Sequence, residues 1–208
     1  MKVLLILGGE SPPLDLLEKQ VKCSEKVIAV DGGIQPLFEI GLQADLLVGD
    51  FDSVKNKPFS YNCSEVLHMP QQNRSDFQKA LDQVPVATDA ITILGGTGKR
   101  LDHFINNLLI AMAVDLPKAV CFMDGSCSIY RITPHRPLLL NGVANNQFSL
   151  LPFTIAKGVQ TEGLRWNLKS QNMSPLEQLG ISNIALSDKI RISILEGCLW
   201  VIDNKTKF

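Results

Sequence analysis

The chain has 208 residues, 45% of them hydrophobic and 20% charged, with a formal net charge of −1. That is a globular composition with length for one large domain or two small ones. No basic stripe marks a nucleic-acid partner and no apolar segment is long enough to span a bilayer, which sets both classes of function aside.

From the N-terminus, Met1-Lys2 puts one charge before the apolar run Val3–Leu7. The run is too short for a signal peptide and ends in Gly8-Gly9 without a cleavage pattern. The runs Val3–Leu7, Lys26–Val30, Leu46–Val48, Val66–Met69, Ile91–Leu94 and Val120–Met123 predict buried strands. Helical periods lie between several of them. Phe77, Ala80, Leu81 and Val84 recur at i, i+3, i+4, i+7, and Phe104, Ile105, Leu108, Leu109 and Met112 form a second stripe up to Ala113. Strands alternating with helices predict an α/β domain with a largely parallel, Rossmann-like sheet.

Past about Asp124 the helical periods fade. Ile129–Ile132, Leu138–Leu140 and Phe148–Leu151 are short β-rich pieces, and Lys189–Leu195 alternates with period two. Leu199–Ile202 is expected to close a hairpin with it across Glu196-Gly197-Cys198. The predicted boundary lies near Asp124–Pro134. It divides an α/β domain (1–128) from a small antiparallel, all-β, sandwich-like domain (129–208). The cysteines (Cys23, Cys63, Cys121, Cys127, Cys198) are odd in number and lack a C-x-x-C pair. They read as mostly buried thiols in a reducing compartment, which places the chain in the cytoplasm.

The chemistry gathers at strand ends. Asp50 and Asp52 follow the run Leu46–Val48 behind Gly49, and Asp31-Gly32-Gly33 follows the preceding strand. In an open α/β sheet that edge is where ligands bind. If the chain stays extended, residues two apart face the same way, so both carboxylates address one spot. Ser75-Asp76-Phe77-Gln78 has the form of a capping box and predicts a helix start beside a further acid, Asp76. Carboxylates placed together repel unless a hard cation neutralises them, and Mg²⁺ takes one or two carboxylates plus substrate phosphates. The alternative is a solvated loop with ordinary turn and cap acids. Gly95-Gly96-Thr97-Gly98-Lys99-Arg100 then lies between a strand and a helix, where glycines free N–H groups for an anion and Arg100 can grip phosphate oxygens. It fits neither the P-loop nor G-x-G-x-x-G, and a plain tight turn also accounts for it. His103 is a base or a first-turn helix residue. His68 and His135 read as structural or surface residues.

Together these motifs resemble the thiamine pyrophosphokinase family. The resemblance rests on Ala29–Gly33, Ala44–Ser53, Ser75–Leu81, Gly98–His103, Thr161–Leu168 and Ile181–Asn183, in the family's order. It implies an N-terminal α/β domain for ATP and Mg²⁺ and a C-terminal β domain for thiamine. It also implies a homodimer with active sites shared between subunits. Carried over by position, Asp50, Asp52 and Asp76 would ligate Mg²⁺. Asp31, Gly32, Gly33, Gln72, Ser75, Lys79 and Arg100 would surround the nucleotide. Asp102 would stand between metal and thiamine, and Trp166, Ser182 and Asn183 would line the thiamine site. Trp166 read without the family is an ordinary β-domain core residue. The sequence departs from the pattern at Gln71, Asn73, Lys99 and Gly180, two of which are amides where the family carries acids.

Two rival readings stand beside it. Leu46–Val54 also resembles the D-x-D-x-T/V opening of haloacid dehalogenase-like phosphatases, with Asp50 as nucleophile. That family places the motif near the N-terminus and needs a later acidic pair of a form absent here. A non-catalytic nucleotide or vitamin sensor is the other.

Overall fold

A computed structural model describes residues 1–52, 61–115, 118–177 and 180–205. The chain divides into two compact units, Met1–Val114 with Phe122–Gly125, and Asp115–Cys121 with Ser126–Phe208.

In the first unit, strands β1 (Lys2–Ile6), β2 (Lys26–Val30), β3 (Ala44–Gly49), β4 (Cys63–His68) and β5 (Ala90–Leu94) form a parallel array. The order is β5-β1-β2-β3-β4. Leu4, Leu5, Ile6, Ile28, Ala29, Leu47 and Val48 have no exposed surface. That is why β1, β2 and β3 read as unbroken apolar runs: the inside of a parallel sheet is covered on both faces. β4, expected to be buried, lies at the end of the sheet and has no fully buried residue. Helices α1 (Leu14–Cys23), α2 (Gln35–Glu39), α3 (Asp76–Asp82) and α4 (Leu101–Met112) supply that cover. Leu17 and Leu37 from α1 and α2 join Leu4, Ile6, Ala29 and Leu47 in one cluster.

The capping box expected at Ser75 forms at the start of α3, with Gln78 N donating to Ser75 Oγ (3.3 Å) and Ser75 N donating to Gln78 Oε1 (3.0 Å). Helix α3 stops at Asp82, before the Val84 of its periodic pattern, and α4 starts three residues ahead of the expected Phe104. None of the described helices is long and apolar enough to cross a membrane.

β6 (Ala119–Met123) contributes residues to both units. Among the described residues, the elements of the second unit are all strands. One antiparallel sheet has the order β12-β9-β14-β7, from Gly180–Ile184, Gln147–Leu151, Leu199–Asn204 and Cys127–Ile132. The other has the order β11-β10-β13-β8, from Gln171–Met173, Ala156–Glu162, Lys189–Ser193 and Leu138–Asn141. Phe148, Leu150, Leu199 and Val201 from the first pack with Leu138, Val159, Ile190 and Ile192 from the second, which makes a sandwich core.

The expected hairpin across Glu196-Gly197-Cys198 does not form. β13 pairs with β8 and β10, whereas β14 pairs with β7 and β9, so the chain changes sheets at that turn. Both strands need an apolar partner face, and crossing the sandwich gives each one its own. Gly197 turns with φ 90°, and a Cβ there would lie 2.2 Å from the Ile155 carbonyl oxygen. Glycine is needed there for the sheet change rather than for a hairpin.

Candidate active site

Strands β2 and β3 run in register, Val30 beside Val48, so the residues that leave them emerge side by side. Asp31 begins a short 3₁₀ turn, Asp31–Ile34. Gly33 makes that turn fit, because a Cβ on it would lie 1.9 Å from the Ile6 carbonyl oxygen. Across from Asp31, a Cβ on Gly49 would lie 3.1 Å from the Asp31 Cβ. Gly49 therefore permits a close backbone approach, and its neighbour is Asp31.

Beyond Gly49 the chain does not stay extended. Phe51 adopts φ 66°, the left-handed region, which costs a non-glycine residue about 1–2 kcal/mol. The turn folds the Asp52 amide back to donate to Asp50 Oδ1 at 3.3 Å. Both carboxylates still address one spot, but a turn brings them there rather than a strand. Oxygens of Asp31, Asp50 and Asp52 lie within 4.8 Å of one another. This oxygen-only set at a strand edge suits a hard divalent cation. Gln72 Nε2 donates to Asp50 Oδ2 at 2.7 Å. That bond, helped by the Asp52 amide and by nearby Lys79, holds the Asp50 carboxyl below its ordinary pKa despite some burial. Ser53, the last residue of the motif, lies outside the described residues.

Asp76 stands at the start of α3, outside the group of three, and pairs with Lys79 Nζ at 2.8 Å. Lys79 is buried and also donates to the Met69 carbonyl at 2.8 Å. A buried ammonium held this way is a fixed positive charge beside the acids.

The glycine-rich stretch closes the other side. The loops after β1 and β5 are joined by Leu7 N to Leu94 O (2.8 Å), Gly9 N to Gly95 O (2.9 Å) and Glu10 N to Thr97 O (3.1 Å). Here the strand order reverses direction, since β5 lies on the opposite side of β1 from β2. Asn107 Nδ2 donates to Gly96 O at 3.3 Å. Arg100 holds Asp102 with both arms of its fork, Nε to Oδ1 at 3.1 Å and Nη2 to Oδ2 at 2.5 Å. Both side chains are exposed, and the guanidinium lowers the Asp102 pKa to about 2.

These parts line one cleft of about 790 Å³, built entirely from the first unit. Asp31, Asp50, Asp52, Gln72, Ser75, Asp76, Lys79, Arg100 and Asp102 all face it, with His103. Gly32 and Gly33 are not among its lining residues. Gly8, Gly9 and the pair Asn106-Asn107 do line it, and sequence reasoning missed them. The glycines were hidden in the apparent end of a strand. The asparagines lie on the polar face of α4, where only the helical period placed them.

Trp166, Ser182 and Asn183 come together in the second unit. The Asn183 amide brackets the Trp166 backbone, with Oδ1 accepting from Trp166 N at 3.1 Å and Nδ2 donating to Trp166 O at 2.8 Å. Ser182 adopts φ 60°, and its amide donates to Ser149 Oγ at 3.2 Å. The Trp166 side chain is not a core residue. Trp166 is 58% exposed, with the Arg165 guanidinium carbon 5.5 Å from its ring centroid.

The chain matches two profiles of one family. A family profile described as "Thiamin pyrophosphokinase, catalytic domain" matches residues 17–123, and one described as "Thiamin pyrophosphokinase, vitamin B1 binding domain" matches residues 139–199. Thiamine pyrophosphokinase 1 of Oryza sativa subsp. japonica is 25% identical over 173 residues, covering 76% of this chain and 65% of the rice protein. The chain thus spans just under two thirds of that relative's length. Thiamine pyrophosphokinase of Bacillus subtilis (strain 168) is 26% identical over 182 residues, covering 84% of this chain and 85% of the relative. The fold is shared with the crystal structure of thiamine pyrophosphokinase from Bacillus subtilis (TM-score 0.81, 22% identity, all of both chains). It is shared also with that from Geobacillus thermodenitrificans (TM-score 0.82, 22% identity, 100% of this chain and 99% of the other).

Proposed function

The chain belongs to the thiamin pyrophosphokinase family, and on that premise we propose that it is an ATP:thiamine diphosphotransferase, making thiamine diphosphate and AMP. The observation that carries the reading is the convergence of Asp31, Asp50 and Asp52 in a cleft that also holds Arg100 and Lys79. Acids for a metal and cations for phosphate are the two parts such a transfer needs. In this reading residues 1–128 hold ATP and Mg²⁺ and residues 129–208 hold thiamine. The protein acts in the cytoplasm as a homodimer with shared sites.

Asp50 and Asp52, with Asp31 at their side, would hold Mg²⁺. Bound there, the ion would neutralise phosphate charge and polarise the transferred group. Asp76 contributes through Lys79, whose ammonium it holds in place. Gln72 aims the Asp50 carboxylate and lowers its pKa. The thiamine hydroxyl oxygen bonds to the β-phosphorus as the bond from that phosphorus to the α,β-bridging oxygen breaks. The hydroxyl proton is released and AMP leaves with the electron pair. Arg100 meets the charge that builds on the phosphate oxygens, and Asp102 sets the plane of its fork beforehand. Trp166 offers thiamine's cationic ring system an exposed aromatic face.

Arg100→Lys keeps the charge but loses the planar fork, and kcat/KM is expected to fall by about tenfold or more. Steady-state rates for the two proteins decide this. Equal values would return the Gly95–Arg100 stretch to a plain turn. The function itself is tested by product formation from ATP and thiamine.

A further inference from the structure

The turn that brings Asp50 and Asp52 together depends on Phe51 holding a left-handed backbone, φ 66°, that aromatic residues seldom adopt. Two features of the structure hold it. Phe51 is half-buried and packs against the core cluster of the first unit. Its ring also stacks on His68, with centroids 5.3 Å apart and an interplanar angle of 23°. His68 is the last residue of β4, in register with Gly49 of β3, and the next amide, Met69 N, donates to Gly49 O at 2.8 Å. The imidazole therefore stands on a strand fixed against the residue just before Asp50. His68 is exposed and is not among the residues that line the cleft.

We propose that His68 is a positioning residue. By stacking on Phe51 it locks the left-handed turn, and so presets the Asp50 and Asp52 carboxylates for a divalent cation. The inference rests on the reading of the acids as a metal seat. Without the stack, the turn samples other conformers in which Asp52 points away from Asp50. The cation then binds only the competent fraction, and its apparent affinity falls by that fraction. An offset aromatic pair stabilises by an amount that corresponds to about a three- to tenfold change in affinity.

The test is Mn²⁺ binding to the whole chain without nucleotide, followed by electron paramagnetic resonance of the free ion. The proteins are wild type, His68→Ala, His68→Phe, Phe51→Ala and the double variant His68→Ala/Phe51→Ala. His68→Ala is expected to weaken Mn²⁺ binding about three- to tenfold, with thermal unfolding close to wild type because the residue is exposed. His68→Phe, which keeps a ring, is expected to restore binding to within about twofold. In the Phe51→Ala background, removing His68 is expected to have no further effect, since the stack is already gone. Wild-type affinity in His68→Ala overturns the proposal, as does full additivity in the double variant. Absence of Mn²⁺ binding by the wild-type chain overturns the metal seat itself and this inference with it.

Discussion

Asp52→Asn is expected to lower turnover by about two orders of magnitude or more, since each 1.4 kcal/mol lost from the transition state costs about tenfold. Its carboxylate is one of three whose oxygens lie within 4.8 Å of one another. The amide keeps the shape and removes the charge that a cation needs. Asp52 is exposed and its backbone amide, which bonds Asp50 Oδ1, is untouched by the change. Unfolding by urea should therefore be little altered, or slightly more resistant because carboxylate repulsion is relieved. The measurement is kcat at saturating ATP, thiamine and Mg²⁺. Near-normal turnover under those conditions would mean that the acids are a solvated turn.

Trp166→Ala is expected to raise the KM for thiamine by about 10- to 100-fold, with a smaller change in the KM for ATP. Losing a large apolar face and a cation–π contact removes roughly 1.5–3 kcal/mol of binding. The side chain is exposed, yet its backbone is fixed on both sides by the Asn183 amide. These bonds fix the backbone that presents the ring, and the exposed ring itself adds little to folding. The sandwich core does not include Trp166, so the variant should fold normally. Separate titrations of thiamine and ATP distinguish a thiamine contact from a general loss of activity. An unchanged KM for thiamine would leave Trp166 without the role given to it.

Much of this was legible in the sequence because parallel strands and capped helices announce themselves locally. Val3–Leu7, Lys26–Val30 and Ile91–Leu94 are short apolar runs of the kind a doubly covered strand carries, and Ser75-x-x-Gln78 carries its helix start in four residues. What the sequence concealed was three-dimensional. Nothing in Glu196-Gly197-Cys198 distinguishes a hairpin from a change of sheet, because both need a glycine turn. The difference lies in which strands each neighbour pairs with, and those strands are distant in the chain. β10 through β12 carry little or interrupted alternation and were not anticipated. At the site, the grouping of Asp50 with Asp52 was expected, but the left-handed Phe51 that produces it was not, because a backbone φ is not written in residue type. Asp31 was expected on the same sheet edge, and the parallel β2–β3 register puts it there. His68 read as an isolated structural or surface residue, and β4 places it against Phe51.

The most direct test of the account is to incubate the purified chain with ATP, Mg²⁺ and thiamine and to resolve the products by chromatography. AMP and thiamine diphosphate are expected in equal amounts, neither formed when thiamine or Mg²⁺ is left out. ADP with thiamine monophosphate, inorganic phosphate released without any thiamine ester, or no turnover at all would contradict it.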